Sequence, residues 1–378
     1  MSRAPDLRAL VARHGSPLLL IDCDVVRRQY RALIEALPNV AFYYALKPLP
    51  NAAVVAELRD LGANFDLATT GEIKLVKAAG IAPERCIHTH PIKSDADIRA
   101  ALRFGVRTFV ADNPDELRKF VPHRRRAELL LRVSFRNPSA VVDLSRKFGC
   151  EPTAVPRLLE LARGLGVRVK GLSFHVGSQV ADPAKYVEAI GACAEIIDAV
   201  HKSGLAELDL LDIGGGFPIS YRSEVPPIAQ FCRSIRKALK RLPRRVSVIA
   251  EPGRFIAGPC GTAVATVVGR AQREGRWWYY LDDGLYGSYS GQLYDHASYP
   301  VEVLDRDGPL HPSVLAGPTC DSIDVVREDY PLPELQLGDL VVGRMMGAYT
   351  SASATDFNFI PRAKVVAIHS HAKTRHAD

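Results

Sequence analysis

The sequence predicts an α/β protein: a (β/α)8 TIM-type barrel followed by an antiparallel β domain. Three observations carry the prediction. Short apolar runs recur eight times between residues 40 and 252. The segments between them repeat apolar residues at three- and four-residue steps, and several stop at glycine. From about residue 261 that helical period gives way to closely spaced β-rich runs.

The eight runs are VAFYYAL (40–46), NFDLAT (64–69), CIHTHP (86–91), TFVAD (108–112), ELLLRV (128–133), GLSFHVG (171–177), ELDLLDIGG (207–215) and VSVIAEP (246–252). The first five start at 40, 64, 86, 108 and 128, steps of 20 to 24 residues. Several are continuously apolar, as expected of parallel strands buried on both faces. AAVVAELRDLG (52–62), EIKLVKAAG (72–80) and DADIRAALRFG (95–105) read as amphipathic helices ended by Gly62, Gly80 and Gly105. Ser94 is placed to cap the last of them. A doubly wound open sheet competes with the barrel, but eight units in series favour closure.

The expected boundaries are 27–260 for the barrel and 261–378 for a sandwich or Greek-key β domain. TAVATVVGRA, RWWYYLDDG, VEVLDR, LVVGRMM and PRAKVVAIHS would supply that domain's strands. PLLLIDCD (17–24) precedes the barrel, so residues 1–26 are expected to add a strand to the β domain.

Composition narrows the function classes. The chain has 378 residues, and 47% hydrophobic with 24% charged is a globular balance, not a disordered one. No apolar stretch reaches the ~20 residues a spanning helix needs, so no membrane association is expected. The start, MSRAPDLRALVARHG, lacks the apolar stretch of a secretory signal. The seven cysteines are odd in number and scattered without a CxxC, which points to reduced thiols and a cytoplasmic protein. Net charge is +7, with basic runs at His123–Arg126 and Arg236–Arg245. These lack interleaved aromatics and read as solvated helix faces, so an anionic small molecule is a better partner for the positive charge than nucleic acid.

In such a barrel, functional residues gather at the C-terminal strand ends. Seven of the eight ends here carry chemistry: Lys47 after the first run, Asp66 in the second, His90 after the third and Arg132 in the fifth. His175, Gly177 and Ser178 follow the sixth, Gly214–Gly216 the seventh, and Glu251 and Arg254 the eighth. Bare glycine N–H groups approach an anion closely, and Arg254 on the next strand end adds a bidentate cation, so phosphate is the expected ligand. A lysine at a strand end commonly only snorkels. Beside a phosphate cup and a carboxylate, Lys47 instead suggests an amine that condenses with an aldehyde, as pyridoxal 5′-phosphate (PLP) requires. His88 and His90 are set aside as a metal pair, because no suitably spaced carboxylates accompany them, and no metal is expected.

The segments FYYALKPLPN, NFDLATTGEI, LSRKFGC, GLSFHVGSQ, LDIGGGFP, AEPGRF, DDGLYGSYSGQLYDHA, GPTCDSID and GAYTSASATDFNF stand in order from residue 42 to about 359. In these the chain resembles the fold-type III PLP-dependent decarboxylases, most closely the ornithine/lysine decarboxylase group, whose barrel is of the alanine racemase type. The resemblance implies that Lys47 carries the cofactor, that Asp66 and Arg132 support the site, and that His175 stacks on the cofactor ring. Ser178, Gly215, Gly216, Arg254 and Tyr349 would hold its phosphate, and Glu251 would pair with its pyridine nitrogen. Cys320 would be the proton donor, reaching the site with Asp321 from the partner subunit of a homodimer. Asp295 and Asp321, with Tyr294 beside them, would bind the substrate's distal ammonium.

Ordinary alternatives exist for several of these. Cys320 could be a buried thiol, Asp295 and Asp321 turn residues, His175 a core histidine and Tyr349 packing. The chain departs from the family's usual pattern in ALKPLPN and in HTHPIKS. The expected reaction is decarboxylation of a basic L-amino acid, with ornithine to putrescine, a step of polyamine biosynthesis, the first choice. Lysine, both substrates, or diaminopimelate are the alternatives. CDSID carries Asp where the diaminopimelate enzymes typically carry Glu and a different tail. An amino-acid racemase and an inactive, regulator-binding homologue are the rivals from other classes.

Overall fold

The computed structural model describes residues 5–136, 146–221 and 224–370. Leu144 and Ser145 of the LSRKFGC motif lie outside them. The chain divides into two compact units. One comprises Met1–Arg28, Ser220–Glu224 and Ile256–Asp378, the other Gln29–Ile219 and Val225–Phe255.

The first strand, β1 (Leu18–Asp22), belongs to the former unit. The latter unit is a closed barrel of eight strands: β2 (Val40–Ala45), β3 (Asn64–Leu67), β4 (Cys86–His88), β5 (Thr108–Ala111), β6 (Glu128–Val133), β7 (Val169–Phe174), β8 (Leu210–Asp212) and β9 (Ser247–Ala250). Every neighbouring pair is parallel, and β9 returns to β2 through Val40 paired with Val248, so the open-sheet alternative is excluded. The helices start and stop where local chemistry dictates. Helix Thr70–Ala78 opens on a capping box formed by Thr69 and Glu72. Helix Asp95–Phe104 is capped by the Ser94 hydroxyl and ends on Gly105 at φ +113°.

The barrel's side-chain parity positions the site. Ile87, Val110, Leu130 and Ile249 pack together inside it, with Tyr43 and Leu210 against them. Residues two positions further along a strand face the same way. The interior above this apolar plug is therefore lined by Thr89, Asp112, Arg132, Asp212 and Glu251. Register confirms the layer: Arg132 pairs with Ser173, and Ser173 with Asp212. At Gly171, one step below, a Cβ would stand 2.0 Å from the Leu210 carbonyl, so only glycine lets β7 approach β8.

The other unit is an eight-stranded sheet. It contains β1, β10 (Gly261–Arg273), β11 (Arg276–Leu281), β12 (Val301–Val303), β13 (His311–Ala316), β14 (Val325–Leu332), β15 (Leu340–Arg344) and β16 (Lys364–Ile368). Most pairs are antiparallel, but β1–β16 and β11–β13 are parallel, which departs from a purely antiparallel reading. A core of Leu7, Leu18, Leu20, Val264, Leu340 and Val342 holds helix Leu7–His14 to this sheet. Each such side chain contributes about 1.5–3 kcal/mol on full burial.

Candidate active site

Lys47 sits in the turn after β2, and its side chain is exposed. It follows closely on the C-terminal end of β2. Its charge is nonetheless felt by Asp66, Glu72, His90 and His175, which places it over the barrel's polar layer.

Asp66 on β3 is buried and accepts the Thr89 hydroxyl at 2.5 Å. Burial first, and then the neighbouring charge of Glu251, hold its carboxyl well above the usual range; the Thr89 bond and Lys47 oppose them. Arg132 is desolvated, which lowers its pKa, against the attraction of Glu251, Asp112, Asp212 and Asp66. Its guanidinium lies 5.4 Å from the centre of the Phe148 ring.

His175 follows β7. Its Nδ1 accepts the Gly177 N–H at 3.0 Å, so the ring proton belongs on Nε2. Burial, then the charges of Lys47 and Arg132, push its pKa far down. The ring is therefore a neutral aromatic plate, and it lies against Gly215, where an added Cβ would come within 3.3 Å of Nε2.

The glycine turn after β8 has no room for side chains. Gly214 and Gly216 have φ of +67° and +105°, and a Cβ on Gly216 would lie 2.2 Å from the Gly177 carbonyl. Tyr186, fully buried, pins the turn by donating its hydroxyl to the Gly215 carbonyl at 2.7 Å. Arg254 is buried and donates to the Ser178 hydroxyl at 3.2 Å. A desolvated guanidinium, a hydroxyl and a bare glycine backbone together form an anion cup. With Glu251 on the inner layer and Lys47 above it, this donor set fits PLP: an amine for the aldehyde, a cup for the phosphate and a carboxylate for the ring nitrogen.

The remaining predicted residues lie in the β unit. Cys320 is exposed, so it is not the buried thiol of the ordinary alternative, and its sulfur accepts the Asn358 side-chain amide at 3.0 Å. Asp321 accepts the Tyr286 hydroxyl, and that bond holds its carboxyl below the usual range. Tyr286 stacks on Phe357 with ring centres 4.4 Å apart, and it also feels Tyr294, so Tyr294 neighbours this cluster. Tyr294 is exposed at the end of a short helix, Gly291–Tyr294, and Asp295 caps that helix. Tyr349 adopts a left-handed φ of +55°, its carbonyl bonded by Ser353.

Asp324 fixes the loop that carries Cys320 and Asp321. Its carboxylate accepts the Leu285 N–H at 2.7 Å and the Thr319 hydroxyl at 2.7 Å. Gly284 and Gly317 must lack side chains because that carboxylate stands 2.3 and 2.1 Å from where a Cβ would be. The sequence reading did not single out Asp212, Thr89, Tyr186, Tyr286, Asn358 or Asp324. Strand parity could have found the first two. Tyr186 lies in the first turn of helix Ala184–Lys202, where its apolar spacing reads as core, and the other three are placed by loops or short turns, which leave no period to read.

Comparison with known proteins gives a consistent result. The family model for the pyridoxal-binding domain of pyridoxal-dependent decarboxylases matches residues 23–258. Lysine/ornithine decarboxylase of Selenomonas ruminantium is 36% identical over 354 residues, 93% of this chain and 90% of that protein. Lysine/ornithine decarboxylase of Vibrio vulnificus, solved with cadaverine, is 56% identical with a TM-score of 0.93, covering 96% of this chain and 97% of that one. Arginine decarboxylase of Paramecium bursaria Chlorella virus is 31% identical with a TM-score of 0.89, covering 96% and 99%.

Proposed function

The chain belongs to the pyridoxal-dependent decarboxylase family, and from that premise we propose that it converts ornithine to putrescine, with lysine as a second substrate. It is a PLP-dependent carboxy-lyase for a basic amino acid. When bound, PLP supplies the electron sink for the bond broken between Cα and the carboxylate.

The chain's own residues divide the rest. Lys47 holds the cofactor through Nζ. Ser178, Gly215, Gly216 and Arg254, with Tyr349, bind the phosphate, and His175 offers its neutral face to the ring. Glu251 keeps a proton on the pyridine nitrogen, with Asp66 and Arg132 supporting the layer. Cys320 returns a proton to Cα after CO₂ leaves. Asp295 and Asp321 hold the distal ammonium beside Tyr294. In a homodimer, Cys320 and Asp321 would serve the neighbouring subunit's site, giving two equivalent shared sites. Seven free cysteines support a cytoplasmic setting.

The observation that carries the substrate reading is Asp321, an exposed-loop carboxylate kept ionised by Tyr286 next to an accessible thiol. Such a group suits a distal cation and repels the distal carboxylate of diaminopimelate. Lysine is one methylene longer than ornithine, a difference worth only about 1–3 kcal/mol, so both should be turned over. The solved relative from Vibrio vulnificus, in complexes with cadaverine and with putrescine, supports that breadth. The test is a CO₂-release assay with chiral product analysis over ornithine, lysine, arginine and diaminopimelate. Putrescine and cadaverine are expected. Release from diaminopimelate alone, or racemised substrate without CO₂, would overturn the reading.

A further inference from the structure

Asp212 has no role in the scheme above, yet it is fully buried at the centre of the barrel's polar layer. It ends β8 two residues beyond the inward-facing Leu210, in register with Ser173 and Ile249. Its Oδ1 accepts the Gly214 N–H at 2.8 Å, while among the described residues no donor reaches Oδ2. The side chain within hydrogen-bonding reach is another acid, Glu251. Glu251 is tied to the same turn from its own side, its N–H donating to the Gly214 carbonyl at 2.9 Å. The charged and titratable groups facing Asp212 are Glu251, Asp66, Arg132 and Tyr43.

Two carboxylates cannot bond to each other; a carboxylic acid and a carboxylate can. In a desolvated layer holding three acids and a guanidinium, like charges this close do not all ionise. We propose that Asp212 is a positioning residue that carries a proton, donates it to Glu251, and so holds Glu251 as the charged member of the pair while pinning the Gly214 turn. The chemistry explains why Oδ2 lacks a donor: it is the donor. Burial and the charge of Glu251 both favour the protonated form of Asp212. The inference rests on the reading of Glu251 as the partner of the cofactor nitrogen.

Two variants and one spectrum test it. In Asp212→Asn the amide oxygen still accepts from Gly214 and the amide nitrogen still donates to Glu251. Titration of the full-length protein with PLP should then give an affinity within about threefold of wild type. Asp212→Ala leaves Gly214 and Glu251 without their partner and should weaken PLP by about tenfold or more. The infrared difference between wild-type and Asp212→Asn holoenzyme should contain a protonated-carboxyl band, whereas the difference between wild type and Glu251→Gln should not.

If Asp212→Asn is as damaging as Asp212→Ala, charge and not a donated proton is what matters, and the proposal falls. It falls equally if Asp212→Ala binds PLP like wild type, or if the band survives Asp212→Asn and vanishes in Glu251→Gln. Should Asp212→Ala fail to fold, the band in wild type and Asp212→Asn still decides. A Glu251→Gln protein with wild-type PLP affinity and absorption would end the Glu251 reading instead, leaving the proton's location to the infrared result.

Discussion

The barrel mouth and the Cys320 loop build their chemistry in opposite ways. In the barrel, functional side chains come from different strands, are mostly buried, and are aimed by strand parity against one another. Arg132, Asp212 and Glu251 share one layer although 119 residues separate the first from the last (251 − 132), and Asp66 is bonded to it through Thr89. In the β unit, Cys320 and Asp321 are neighbours in sequence, lie at the surface and are held by a clamp from Asp324. Burial perturbs the ionisation of Asp66, Arg132 and Asp212, whereas at Asp321 hydrogen bonds, that of Tyr286 first, lower the carboxyl. Damage should follow the same division: barrel substitutions should cost stability or cofactor, and loop substitutions should cost catalytic efficiency.

The largest effect is expected where the barrel buries an ion pair. Lys93 is almost completely buried, donates to the carbonyls of His90, Pro91 and Val110, and lies 3.5 Å from buried Glu116. Burial lowers its pKa to about 8. Lys93→Met takes a counter-charge from Glu116 and frees three carbonyls, so urea denaturation should show a loss of about 3–5 kcal/mol. The exposed pair Arg276–Asp329 in the β unit offers the contrast, and Asp329→Asn should cost under about 1 kcal/mol. Equal losses would break the comparison.

His88 gives the next effect. It is fully buried at the end of β4 with its ring beside Phe109, neither ring nitrogen meets a hydrogen-bond partner among the described residues, and its pKa falls to about 4, mainly through burial. The unfolded chain takes up a proton near pH 6.5 that the folded chain refuses. Its contribution to stability is therefore full above pH 6.5 and is lost as pH falls toward 4. The loss should amount to about 3 kcal/mol. His88→Leu should flatten that part of the stability–pH curve relative to wild type.

Damage in the loop should cost function and not stability. Asp321→Asn should lower kcat/KM for ornithine by about 1.5–3 kcal/mol, mainly through KM. The absorption of bound PLP should not change. A lost cofactor band would show that the loop does barrel work after all.

These contrasts also explain what was legible. The barrel's strands, its closure, and Arg132 and Glu251 of its polar layer were readable because continuous apolar runs, the helical spacing between them and strand ends are local signals. Asp212 obeys strand parity, two residues past the inward-facing Leu210, but the glycines that follow it are the stronger signal in LDIGGGFP. The exposure of Lys47 was not readable, since a residue just past a strand's end has no alternation to read. In the β unit, Asn358 reaches Cys320 from a residue at φ +54°. No composition or period announces such a contact. The parallel pairs β1–β16 and β11–β13 join segments far apart in sequence, which local patterns do not encode.

The assignment of Lys47 as the cofactor lysine carries the whole account, and the barrel contains a competitor for it. Lys93 is the desolvated lysine that a search for a perturbed amine would select, but its ammonium is already committed to three carbonyls and Glu116. Borohydride reduction of the holoenzyme fixes the lysine–cofactor bond, and peptide mapping by mass spectrometry then locates it. The account predicts a single tagged peptide bearing the cofactor on Lys47, absent from Lys47→Ala. A tag on Lys93, or on any other lysine, would contradict it.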